Sequence, residues 1–217
     1  LLSRGLGDVY KRQGLYYVQK EKKRLYFRKS TPAKKIQKYY RALSMEQDRR
    51  SPHHYFNSVK EVTGKVFVDV GCAEGYSSLE IIEEAKHVYL FEQDEQWLEA
   101  IRATFEPWQD KVTIVQKYVS DHNSSREQTL DDFFNNQTDE HLFLKMDIEG
   151  AERHALAGCK NLFQNCQKLD FAICTYHLRD DEEVISAFLN KHNCTYINQK
   201  GFFRHRIRSV VMRGSKK

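Results

Sequence analysis

The sequence predicts an α/β fold, a doubly wound and mostly parallel sheet with an antiparallel last strand. Three observations predict it. From residue 65 onward, short apolar runs rich in Val, Ile, Leu and Phe alternate with amphipathic stretches of helical period. A glycine-punctuated loop, Asp69-Val-Gly-Cys-Ala-Glu-Gly75, joins the first such run to the first such stretch. The last two apolar runs, 195–198 and 207–213, follow one another with no helix between them, so the final one is expected to run antiparallel.

The elements follow in order. Before Gly64 one helix is legible, over 32–48. Ile36, Tyr39, Tyr40 and Leu43 share a face, Pro32 suits the start, and Ser51-Pro52 ends it. Strands are expected over 65–70, 88–91, 112–118, 142–146 and 169–175. Helices are expected over 76–85, 95–105, 130–135, 151–163 and 181–191. Strand–helix units of this length imply a parallel sheet whose ligand lies at the carboxyl ends of the strands.

Composition bounds the function. The 217 residues, 40% hydrophobic and 12% aromatic, suffice for a real core. No apolar run approaches the roughly 20 residues of a membrane span, so no membrane insertion is expected. The five cysteines are odd in number and form no C-x-x-C pair, which points to a reduced, cytoplasmic protein. Charge is asymmetric: residues 1–60 hold 16 Lys/Arg against 4 Asp/Glu, and the remainder 19 against 26.

Residues 1–13 resemble a translated cloning adapter and are set aside, which would leave the natural start missing. Residues 14–60 read as a basic, partly helical extension, and residues 61–217 as the Rossmann-like domain. The basic stretch could meet nucleic acid, an anionic membrane face or an acidic partner, or could simply be solvated. No motif lies in residues 1–30, so their removal is expected to leave ligand affinity within a few fold.

The loop after the first strand carries the chemistry. Gly71 permits a tight turn, and Gly75 lets a ligand approach a helix start. A bulkier residue at 75 is therefore expected to block the ligand while the fold survives. The spacing lacks the third glycine of a dinucleotide fingerprint. Asp69 and Glu74 instead put carboxylates beside the loop, which suits an amine-bearing ligand such as S-adenosylmethionine. Glu92 ends the second strand, where a carboxylate accepts ribose hydroxyls, as it would for a nicotinamide cofactor too. At the end of the fourth strand, Asp147, Glu149 and Glu152 gather three carboxylates, of which Glu149 and Glu152 could merely favour a helix start.

Asp69-Val-Gly-Cys-Ala-Glu-Gly, Phe91-Glu-Gln-Asp, Thr129-Leu-Asp-Asp and Lys145-Met-Asp-Ile-Glu-Gly-Ala-Glu together resemble the FkbM family of methyltransferases, over about residues 51–214. The resemblance implies a class I methyltransferase fold and methyl transfer to a hydroxyl of a small metabolite or glycan. It implies that Asp69, Gly71, Ala73 and Gly75 line the methionine end of S-adenosylmethionine, that Glu92 holds the ribose, and that Ser120 and Asp121 flank the adenine. The chain departs from the family in Cys174-Thr-Tyr-His177, where many relatives end the strand in a glutamate.

His177 should lie beside Asp147 and could take a proton from a hydroxyl nucleophile, with Asp147 and Glu149 completing the rim. Alternatively it bonds Asp180 or Asp181. His53 and His54 are expected to pack the N-terminal segment onto the domain. Asp147, Glu149 and His177 are conceivable metal ligands, but they come from loops without tight spacing and no metal is expected. Two other functions remain open: a nicotinamide-dependent oxidoreductase, and a non-catalytic nucleic-acid-binding Rossmann protein. Base methylation is disfavoured because neither an Asn/Asp-Pro-Pro-aromatic loop nor a Pro-Cys nucleophile is present.

Overall fold

The computed structural model describes residues 8–135, 140–203 and 206–216. An antiparallel sheet of β1 (Val9–Arg12), β2 (Leu15–Lys20) and β3 (Lys23–Phe27) comes first, followed by α1 (Ala33–Glu46). A Rossmann-like array follows: β4 (Val66–Val70), α2 (Tyr76–Ile81), β5 (His87–Phe91), α3 (Glu95–Phe105) and β6 (Val112–Val115). Next come the short β7 (Tyr118–Val119) and β8 (Glu127–Gln128), then α4 (Leu130–Phe134), β9 (Leu142–Met146), α5 (Glu152–Ala157) and α6 (Lys160–Asn165). The chain closes with β10 (Leu169–Cys174), α7 (Asp181–Lys191), β11 (Thr195–Phe203) and β12 (Arg206–Lys216).

The main sheet runs β11-β12-β10-β9-β4-β5-β6. Strands β6, β5, β4, β9 and β10 pair in parallel, and β12 inserts antiparallel between β10 and β11. The doubly wound fold with an antiparallel last strand is thus the observed one. Strand alternation splits the core between the two faces. Phe67, Val88 and Leu90 pack with α2, α3 and the N-terminal elements. Val66, Val68 and Val70 pack with the helices that follow β6, including Phe163 of α6 and Ile185 of α7.

Three local expectations are corrected. The helix over 151–163 is two helices, because Gly158 lies against the next loop: a Cβ there would stand 2.0 Å from the Ser120 carbonyl oxygen. The Asp131 side chain then accepts from the amides of Asn161 and Leu162, at 3.0 and 2.7 Å, and starts α6 afresh. The strand over 112–118 ends at Val115, since Tyr118–Val119 pairs with Glu127–Gln128. Residues 9–12, set aside in the sequence reading, form an edge strand on β2, and residues 1–7 lie outside the described residues.

Within residues 1–30, the β2–β3 hairpin packs onto the domain. Val18, Leu25 and Phe27 are fully buried, and the Tyr26 amide donates to Thr104 Oγ1 of α3 at 3.0 Å. Lys23 Nζ reaches the Leu79 carbonyl at 2.8 Å. This basic hairpin covers the apolar surface of α3, with its lysine and arginine stems lying over the body. Farther along, buried Arg213 of β12 pairs with Glu61 at 2.7 Å and donates to His54 and Asn57. The 54–61 segment is thereby pinned to the sheet, and Tyr55 with it. Among the described residues no helix is long and apolar enough to cross a membrane.

Candidate cofactor and acceptor site

A cavity of about 630 Å³ opens over the carboxyl ends of β4, β5 and β9. Its floor is the loop after β4. Gly71 adopts φ +77°, and a Cβ there would stand 2.1 Å from the Asp147 carbonyl oxygen, so glycine is demanded by the crossing of two strand ends. Ala73 also takes a left-handed φ of +46°, an uncommon state that turns its amide toward β5. That amide donates to Glu92 Oε2 at 3.0 Å, and the Asp94 amide to Oε1 at 2.8 Å. Glu92 is therefore fixed by two backbone donors at the cavity wall, and burial raises its pKa.

Asp69 and Glu74 serve differently. Asp69 is almost fully buried, accepts from Ser78 Oγ at 2.6 Å and pairs with Lys145 Nζ at 2.8 Å. Lys145 also donates to the Gly71 carbonyl at 2.7 Å, so one buried cation ties the loop to β9. Burial opposes its charge, but Asp69 and Asp147 outweigh that and raise its pKa. Glu74, 4% exposed, accepts from Tyr39 of α1 at 2.8 Å. Burial lifts its pKa to about 7.

The other end of the cavity is built around Asp147, just past β9. Tyr55 donates to its Oδ2 at 2.7 Å, and Tyr176 stands 3.5 Å from Oδ1. His53 Nε2 lies 3.9 Å from Oδ2 and His177 Nε2 3.5 Å from Oδ1. Burial would raise the Asp147 pKa, yet Lys145 and the Tyr55 hydrogen bond prevail and hold it below the usual carboxylate range. Glu149, at φ +56°, presents a side chain 93% exposed at the cavity mouth.

The site residues read from sequence distribute unevenly. Asp69, Gly71, Ala73, Glu74, Glu92, Asp147 and Glu149 line the cavity. Gly75 does not: its Cβ would meet the buried Phe105 ring at 2.7 Å, so a bulkier residue there strikes the core before it strikes a ligand. Ser120 lies just past Val119, which does line the cavity, and Asp121 turns outward to His122 and His154. His177 is next to Asp147, as the strand order requires, but stands behind it, off the cavity wall. Its partner is Glu152 at 2.9 Å, because Arg153 occupies Asp180 and Asp181.

Several lining residues escaped the sequence reading, namely Arg28, Tyr39, His53, Tyr55, Trp97 and Tyr176. Lys145 was legible only as part of a motif. Of the two histidines assigned to packing, His54 does bond Arg213, whereas His53 faces the cavity.

The sheet order and an acidic glycine loop facing an acid on the next strand define a class I methyltransferase domain. The Methyltransferase FkbM domain matches residues 43–197, more than half of the chain, and the chain belongs to this family of methyltransferase enzymes. Among solved structures it is similar to the methyltransferase FkbM from Methylobacillus flagellatus KT, at 18% identity and TM-score 0.56. That match covers 85% of this chain and 55% of the other, so the chain spans little more than half of that relative. It is also similar to the M. jannaschii tRNA m1G37 methyltransferase, at 11% identity and TM-score 0.51, over 94% of this chain and 57% of that one. A putative methyltransferase from Streptococcus mutans in complex with SAH matches at 16% identity and TM-score 0.48, over 73% and 93%. No curated protein matches the chain.

Proposed function

We propose that the chain transfers a methyl group from S-adenosylmethionine to a hydroxyl of a small metabolite or glycan. The observation that carries this reading is Glu92, held by the Ala73 and Asp94 amides at the wall of a cavity whose floor carries Asp69 and Glu74. A fixed carboxylate at this strand end suits a ribose diol. Glu74 suits the cofactor's ammonium, Asp69 being paired with Lys145 while it braces the loop, and the missing third glycine speaks against a pyrophosphate. The residues present thus fit S-adenosylmethionine, which when bound supplies an electrophilic methyl group on a sulfonium. Asp69, Gly71, Ala73 and Glu74 form its amino-acid end, Glu92 its ribose end, and Val119 with Ser120 its adenine end.

At the far end Asp147 accepts a hydrogen bond from the acceptor hydroxyl, orients its oxygen and takes up the proton shed as the methyl is transferred, while Tyr55 and Tyr176 hold the carboxylate in place. His177 acts through Asp147, and Glu149 covers the mouth. Positioning and exclusion of water supply most of the rate. Residues 61–217 form the catalytic body, and residues 14–60 are a layer closing one side of it. The five free cysteines suit a cytoplasmic setting.

Calorimetry with S-adenosylhomocysteine and NAD, side by side, tests the reading. S-adenosylhomocysteine should bind, and Glu92→Ala should weaken it about 30-fold, since a charge-assisted hydrogen bond contributes about 2 kcal/mol. Binding of NAD in its place would overturn the assignment.

A further inference from the structure

We propose that Arg28, carried in by the N-terminal hairpin, binds the carboxylate of the cofactor's amino-acid end, opposite the ammonium site at Glu74. Resting on the S-adenosylmethionine reading above, the case begins with charge. The amino-acid end of that cofactor is a zwitterion, yet the loop after β4 offers it two acids, Asp69 and Glu74, and no cation. A carboxylate set beside Glu74 without a countercharge is repelled. Among the described residues three lysine or arginine side chains line the cavity: Arg28, Lys117 and Lys145. Lys145 is buried and committed to Asp69 and the Gly71 carbonyl, at 2.8 and 2.7 Å. Lys117, two residues before Val119 of the adenine end, donates to the Ser124 carbonyl and Gln128 Oε1 at 3.3 and 3.2 Å. Arg28 remains.

Its setting suits a carboxylate. The guanidinium lies over the Trp97 ring, with Cζ 4.7 Å from the centroid, and Nη1 reaches Asp94 Oδ2 only at 3.5 Å. Asp94 is itself engaged as the N-cap of α3, its Oδ1 accepting from the Gln96 amide at 2.9 Å. Stacking on an indole fixes the plane of the guanidinium and leaves its in-plane N–H groups to fork onto two oxygens. The side chain is 37% exposed, so a ligand in the cavity can reach it. Arg28 also stands close enough to the Tyr39 hydroxyl to oppose the rise that burial and Glu74 impose on the tyrosine's pKa. Tyr39 donates to Glu74 at 2.8 Å, and its ring centroid lies 6.4 Å from that of Trp97. Contacts through Trp97 and Tyr39 thus bring the cation beside the acid that faces the ammonium. Phe27, the residue before Arg28, is fully buried and anchors it there.

The test compares two ligands on the full chain by calorimetry. S-adenosylhomocysteine has the amino-acid end, and 5′-methylthioadenosine keeps the adenosine and the thioether but lacks it. Arg28→Gln should weaken S-adenosylhomocysteine about 10–30-fold, the loss expected for a hydrogen-bonded charge pair at a partly exposed site. Its affinity for 5′-methylthioadenosine should stay within about twofold of wild type, which also shows that the fold persists. Arg28→Lys should recover part of the loss, since it restores the charge without the fork. Unchanged S-adenosylhomocysteine affinity in Arg28→Gln would overturn the proposal. Equal losses for both ligands would do the same, and would leave Arg28 a prop for Trp97 and α3. A wild-type chain that binds neither ligand would instead sink the S-adenosylmethionine reading itself, and this assignment with it.

Discussion

The two ends of the cavity are built in opposite ways. At the cofactor end, Asp69, Gly71, Ala73 and Glu74 come from six consecutive positions, and Glu92 from the very next strand. The acceptor end draws Tyr55 from the segment before the sheet, Asp147 from the end of β9, and Tyr176 and His177 from the end of β10. The loop and acids of the first end need only a local turn and one neighbouring strand. The second exists only when three distant stretches are packed, and its geometry depends on Arg213 pinning the 54–61 segment. A fold can therefore keep its cofactor while changing its acceptor by altering segments outside the motif.

Deleting residues 1–30 tests this division most severely. It strips Val18, Leu25 and Phe27 from the core and Arg28 from the cavity wall. At about 1.5–3 kcal/mol per buried side chain, the loss is on the order of 5 kcal/mol, or about 10–20 °C in melting temperature. A truncated chain melting with the full one would make the hairpin an appendage.

Tyr55→Phe probes the acceptor end alone. It removes the 2.7 Å donor to Asp147 and little volume. Turnover on an accepted hydroxyl substrate should fall about tenfold, matching about 1.4 kcal/mol for a bond to a charged group. Affinity for S-adenosylhomocysteine should hold within about twofold, whereas a parallel loss of both would show the two ends to be coupled.

The smallest expected effect lies at Glu74, whose pKa burial raises to about 7. The folded state then binds this proton more tightly than the unfolded state, so Glu74 favours folding at low pH. That contribution is lost as pH climbs from the ordinary carboxylate range through about 7. The ionised form is the one that attracts the cofactor's ammonium, so S-adenosylhomocysteine affinity should rise several-fold between about pH 6 and pH 8. Titration calorimetry across that window checks it. Glu74→Gln should flatten the profile, and an unchanged slope would move the titrating group elsewhere.

How much was legible follows from what each residue depends on. Most strand and helix positions after residue 65 could be read, because burial on one face prints a period into the sequence. Asp69, Gly71, Glu74 and Glu92 could be read because backbone geometry at a strand end fixes them within a few residues. Gly75 was read as a ligand's clearance, while its tight neighbour is Phe105, thirty positions away. The β2–β3 hairpin was hidden because its alternation is Tyr, Lys and Arg, whose apolar bodies are buried under charged tips. Tyr39 and Tyr55 looked like ordinary helix-face and loop aromatics, and nothing local marks either as a partner of Glu74 or Asp147.

The sequence by itself determined the sheet class, the glycine loop on the cavity floor and the acid that faces it, because each rests on a repeat or on contacts between neighbours in the chain. Tertiary structure alone decided which aromatics hold Asp147, that His177 stands behind Asp147 with Glu152 at its back, and that the basic hairpin covers α3. Those contacts join residues up to about a hundred positions apart, as Tyr55 and Asp147 are. Such a pairing is set by how layers pack, which leaves no periodic trace along the chain.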